Sequence, residues 1–114
     1  MDYEGAQRRL IDAVKRNGIA YPLIRGGGVI NENGVEVEVP EVKMDINGLV
    51  IAYKLSEIDG SLIQSGDIQL IVTPEKEIRI GDHIEVDGKR YRVEQSNPIK
   101  PANVLLAYKP QLRA

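Results

Sequence analysis

The sequence predicts an α+β fold, mainly β: a short N-terminal helix packed on a small antiparallel β-barrel or sandwich, with one long mobile hairpin arm. Three observations carry this. A helical apolar period occurs over residues 2–17 and nowhere else. Five or six short alternating runs, separated by Gly-containing turns, fill residues 46–113. Between them, residues 26–45 open on three glycines and then alternate valine with glutamate. The 114 residues are expected to form a single domain, 1–114.

Asp2 suits an N-cap, Lys15 and Arg16 suit the last turn, and Gly18 suits the residue just past the end. Tyr3, Ala6, Leu10, Ala13 and Val14 form one apolar stripe, with Arg8, Arg9, Asp12 and Lys15 mostly off it. Residues 19–25 are short and apolar but contain Pro22, which predicts an edge strand.

Gly26, Gly27 and Gly28 predict a flexible base for the arm. Asn33-Gly34 is a hairpin turn signal. Val35, Val37 and Val39 alternate with Glu36, Glu38 and Glu41, giving one apolar and one acidic face. Residues 31–45 carry five acidic groups against the single Lys43. The arm is the candidate interaction segment: Gly26, Gly27, Gly28, Glu32, Val35, Glu36, Val37, Glu38, Val39 and Glu41.

Asn47-Gly48 predicts a turn into a strand over residues 49–55. Asp59-Gly60 then links to residues 61–64, and Ser65-Gly66 leads into a strand over 67–73 closed by Pro74. A short strand is expected over 77–80. Asp87-Gly88, between residues 83–86 and 89–94, is the strongest hairpin signal in the chain, because both turn positions need positive φ. Ile84 and Val86 then face Tyr91 and Val93, while Arg90, Arg92 and Glu94 face away. Pro98 and Pro101 force an extended crossing before a last apolar run, 104–108, which Pro110 ends.

Composition excludes several functions. Without cysteine there is no disulfide framework and no thiolate chemistry. His83 is the only histidine and reads as a solvated turn residue. Asp82, Glu85 and Asp87 read as turn formers and solubilising groups rather than an acid–base pair. No Gly-Lys-Ser/Thr or dinucleotide fingerprint follows the glycines, and no serine lies in a nucleophile elbow. No catalytic, metal or cofactor site is expected. No apolar run approaches a membrane span and residues 1–4 do not resemble a signal peptide, so a soluble, intracellular protein is expected.

The net charge of −2 and the absence of Phe and Trp count against the runner-up, a nucleic-acid-binding small barrel of the OB or SH3-like kind. Residues 1–25 carry five basic and three acidic groups, and residues 74–114 carry eight and six, so the ends are weakly basic around an acidic insert.

A set of motifs adds to this reading: Ala6-Gln7-Arg8-Arg9-Leu10-Ile11 in the helix, Ile58-Asp59-Gly60-Ser61-Leu62-Ile63 with Gly66-Asp67, Gly81-Asp82, Asp87-Gly88, Tyr91-Arg92-Val93, Pro98, Pro101, Leu105, Ala107-Tyr108 and Gln111-Leu112-Arg113. In this order the chain, apart from residues 26–45, resembles the small head–tail connector proteins of tailed bacteriophages and prophages, the head-closure or stopper class of neck proteins. The resemblance implies an α+β fold with a small barrel and a homo-oligomeric ring, six- or twelve-fold, below the portal. It implies a structural, non-enzymatic role in closing the DNA-filled head and docking the tail. Implied partners are other copies of the chain, a portal or adaptor protein, a tail-completion or tail-tube protein, and passing genomic DNA without sequence-specific binding. No membrane is implied, and the location is the virion neck, preceded by the host cytoplasm. Arg90, Arg92 and Arg113 are the candidate subunit-contact charges.

Overall fold

One long antiparallel hairpin organises the molecule. In the computed structural model, which describes residues 2–114, strand β1 (Ile19–Gly26) pairs with β4 (Glu41–Ile51) from Ile19 opposite Gly48 to Gly26 opposite Glu41. Beyond that point β2 (Val29–Glu32) and β3 (Val35–Glu38) continue in the same register, from Val29 opposite Glu38 to Glu32 opposite Val35. The turn is Asn33-Gly34, with φ of 52° and 81°, the pair of positive values a two-residue type I′ turn requires. Met1 of the expected domain lies outside the described residues.

The base of this hairpin closes into a barrel. β4 pairs with β5 (Ile68–Val72), and β1 pairs with β6 (His83–Val86), which turns at Asp87-Gly88 into β7 (Lys89–Gln95). The last strands do the closing. β9 (Ala107–Tyr108) and β10 (Gln111–Arg113) lie along β5 in one register, interrupted only at Lys109-Pro110, and β10 also pairs with β7. β8 (Pro98–Ile99) flanks β9. The fold is therefore α+β and mainly β, as the sequence predicts, with a small second sheet formed by β2 and β3.

The barrel interior is aliphatic, built from Leu23, Ile46, Leu70, Val72, Ile84, Val93 and Leu112 with Tyr21 and Tyr108. Alternation along the strands delivers it. Tyr21 and Leu23 point inward opposite Ile46 and Met44, and Leu112 points inward between Ile68 and Val93. Helix α1 (Tyr3–Asn17) packs outside against β4 and the 104–105 segment. Its N-cap is Asp2, whose carboxylate accepts the Gly5 N–H at 2.8 Å. Val14 is its one fully buried residue, and Tyr3, Ala6, Leu10 and Ala13 are half-buried, the expected stripe.

Several expected elements take a different form. β1 is an interior strand and not an edge: Leu23 and Ile24 are buried, with β4 on one side and β6 on the other. Pro22 is tolerated because the paired ladder to β6 covers only Leu23 and Ile24, so no ladder bond is asked of the proline. Asn47-Gly48 is not a turn but the middle of β4. Gly48 is needed there for close approach, since a Cβ would sit 3.1 Å from the Ile71 carbonyl oxygen, and its own carbonyl meets Gly18 face on. Gly18, with φ of −100°, is extended and needs no left-handed freedom; what it needs is that missing side chain. Residues 52–67 form no strand: they hold a short 3₁₀ turn (Leu55–Glu57) and a loop in which the Asp59 carboxylate accepts the Ser61 and Ile63 N–H groups. Residues 77–80 are irregular, although Ile78 is buried, and of residues 104–108 only 107 and 108 are strand.

Candidate interaction site

The hairpin arm is the feature that the barrel presents outward. The molecule measures 52 × 32 × 28 Å, and all eight residues of β2 and β3 are exposed. The pairing register sorts their side chains. Ile30 lies opposite Val37 and Glu32 opposite Val35 on one face, while Val29 lies opposite Glu38 and Asn31 opposite Glu36 on the other. One face is thus β-branched with a single carboxylate, and the other carries two carboxylates. Exposure of 62% at both Val29 and Val35 is high for residues of this type.

The arm's base is more defined than a flexible linker. Gly26, Gly27 and Gly28 have φ of 82°, 85° and 81°, three consecutive left-handed positions that residues with a Cβ occupy only under strain. A Cβ on Gly26 would also meet the Pro40 carbonyl oxygen at 2.7 Å. The Val39 N–H donates to the Gly28 carbonyl at 3.0 Å, so the ladder resumes directly beyond this bend. The protruding part is shorter than residues 26–45: Glu41 to Asp45 already pair with Pro22 to Gly26 in the barrel wall.

The charges divide between free and occupied. Glu32, Glu36 and Glu38 have no ion-pair partner among the described residues, whereas Glu41 at the base lies 3.8 Å from Arg90. Arg90 also sits 3.7 Å from Glu85, opposite it in the β6–β7 ladder. Arg92 bonds Glu94 at 2.6 Å. Both arginines are half-exposed on the outer face of β7, each beside a carboxylate of the same chain.

Arg113 is occupied. Its guanidinium grips Asp67 through two bonds, Nε to Oδ1 at 3.0 Å and Nη2 to Oδ2 at 2.9 Å. The Asp67 side chain is 2% exposed and also accepts from the Gln111 amide at 2.9 Å and the Gln64 N–H at 2.9 Å. A second clasp has the same plan. Asp82 is held by Arg25 through bonds of 3.0 and 2.8 Å and accepts the Arg79 N–H at 2.9 Å. In both cases a glycine with φ near 90° precedes the aspartate, whose own N–H donates to the carbonyl three residues earlier. Asp82 is therefore a turn former, as the sequence predicts, but a buried ion-pair partner and not a solubilising group; the signal that the sequence offers for both clasps is the repeated Gly-Asp dipeptide, 66–67 and 81–82. Their arginine partners lie far away in sequence and are brought in by barrel closure.

Burial by itself would raise the Asp67 carboxyl, but the Arg113 guanidinium, the Gln64 N–H and the Gln111 amide outweigh it and hold it below the ordinary carboxylate range. A carboxyl depressed in the folded state stabilises the fold fully above its unfolded value, about 3.9. That stability is lost as pH falls through the lower folded value. Urea titrations of the wild type and Asp67→Asn should therefore differ most above about pH 5 and converge as the pH falls below about 3.9. A gap that stays constant with pH would remove the charge from the account.

His83 is half-buried on β6 opposite Arg92. Among the described residues no three His, Cys, Asp or Glu side chains are placed to hold a metal ion, and no helix is long and apolar enough to cross a membrane. A wide depression beside α1 is an open mixed-charge surface lined by Arg8, Arg9 and Lys15 and by Asp2, Glu4 and Glu75. No protein-family model and no curated protein matches the chain.

Proposed function

We propose that the chain is a structural connector of a tailed-phage neck, a ring subunit between portal or adaptor and tail that closes the filled head and offers the tail its docking surface. The observation that carries this is the arm: a rigid closed barrel commits ten residues of hairpin, Val29 to Glu38, entirely to solvent, which is a geometry for contact and not for chemistry. Half-exposed Arg90 and Arg92 on β7 and the free carboxylates on β2 and β3 supply opposite charges on separate surfaces of one subunit, as a head-to-tail ring requires. An acidic arm facing a channel repels phosphate and lets DNA pass; Lys or Arg there would hold it. The resemblance in the connector motifs supports the same role, with the portal above and a tail-completion or tail-tube protein below, in the virion neck.

The test is assembly on the portal of the same phage. Light scattering should show a monomer or weak oligomer for the protein alone, and electron microscopy should show a six- or twelve-fold ring once portal is added. No ring on the portal, together with tight binding to duplex DNA at low salt, would replace this reading by that of a nucleic-acid-binding barrel.

A further inference from the structure

We propose that the open edge of β2 is a strand acceptor for an extended segment of another protein, one that alternates lysine or arginine with valine or isoleucine. The ladder pattern locates the edge. In an antiparallel hairpin the pair flanking a two-residue turn exchanges both hydrogen bonds, and such pairs then alternate with non-bonded ones. Glu32–Val35 and Ile30–Val37 are the bonded pairs, and the Val39 N–H to Gly28 carbonyl bond continues the same alternation. The backbone N–H and C=O groups of Val29 and Asn31 therefore point outward on β2, and those of Glu36 and Glu38 point outward on β3. The two-stranded sheet has no third strand, so both edges are open.

The edges are not equivalent. On β3 every outward-facing backbone group belongs to a glutamate, the kind of charged edge that discourages pairing. On β2 the outward groups belong to Val29 and Asn31, and the stretch Val29-Ile30-Asn31 has no charge. An incoming strand on this side meets two chemistries. On one face its side chains extend the Ile30, Val35 and Val37 surface, which suits a β-branched residue. On the other they lie over Val29 and Asn31, with Glu38 and Glu36 two strands away at about 10 Å, within the reach of a lysine or arginine. That is the alternation proposed.

Charge also says whose strand it is. Two arms paired through their β2 edges would put Glu36 and Glu38 of both copies on one face of a four-stranded sheet with no cation among them, so the charge favours a basic partner over a second arm. The chain's own basic alternating run, Lys89-Arg90-Tyr91-Arg92-Val93, is β7, already paired with β6 and β10. The donor is therefore a different protein. This partner refines the contact role proposed for the arm and rests on it, but the experiment does not need a virion.

The probe is a short end-blocked peptide alternating lysine with valine, titrated into the full isotope-labelled chain. Saturable binding is expected, with new amide-exchange protection at Val29 and Asn31 and shifts confined to residues 28–39. A peptide of the same composition with its lysines and valines in two blocks should bind about tenfold more weakly. The double variant Glu36→Lys, Glu38→Lys should lose the lysine peptide by about tenfold or more and take up a glutamate–valine one instead. Equal binding of the blocked-order peptide, or protection on β3 or the barrel in place of Val29 and Asn31, would overturn the proposal. Positive binding here combined with no ring on the portal would sink the connector reading alone.

Discussion

Asp67→Ala should lower the stability of the chain by about 3 kcal/mol and its Tm by roughly 10–20 °C. The carboxylate accepts from the Arg113 guanidinium, the Gln111 amide and the Gln64 N–H, at a side chain only 2% exposed. Removing it leaves those donors without their partner, which costs more than the net worth of the pair. The double variant Asp67→Ala, Arg113→Met distinguishes breaking a pair from replacing it, and should recover a large part of the loss. Calorimetry on the three proteins decides the matter. A single variant within about 0.5 kcal/mol of the wild type would mean that the clasp is ornamental.

The second large effect is expected at Leu112. Its side chain is fully buried between Ile68 and Val93, in the three-residue strand that joins β7 to β5. Leu112→Ala should cost about 3 kcal/mol through lost burial and the cavity left behind. Leu55→Ala, at a position 89% exposed, should change stability by less than about 0.5 kcal/mol. Urea unfolding of both gives the contrast. A small effect at Leu112 would show that the last strand frays and that the barrel is open at this seam.

These two positions show how far the chain can be read from its residues. The helix, the Asp87-Gly88 hairpin and the arm turn at Asn33-Gly34 were legible because each depends on local rules: a cap, an apolar period, a pair of positive φ values. Asn47-Gly48 carries the same turn signal and is strand, because there glycine answers to the approach of Gly18 and Ile71 from elsewhere in the chain. Pro22 signals an edge, yet its strand is interior, because the ladder to the neighbouring strand covers only Leu23 and Ile24 and asks no N–H of the proline. Closure through Gln111–Arg113 follows a proline that reads as an end; the strand resumes beyond it in register with β5. In the candidate site the alternation of valine and glutamate gave the two faces of the arm, while the occupation of Arg113 by Asp67 could be known only once the barrel had closed.

The unbroken register from Ile19–Gly48 to the Asn33-Gly34 tip also sets how the molecule bears load. A pull on the tip along the hairpin axis does not peel bonds one at a time. It drags β1 and β4 together past β6 and β5, so the flanking hydrogen bonds, which lie across the strands, are loaded in parallel as in a lap joint. The weaker side of that joint is β1 against β6, held by two residue pairs, compared with four between β4 and β5. A sideways push at the tip is not shared in this way, since between Gly26 and Val29 no flanking strand braces the hairpin. Load along the arm is thus shared by the barrel wall, and load across it falls on the bend alone.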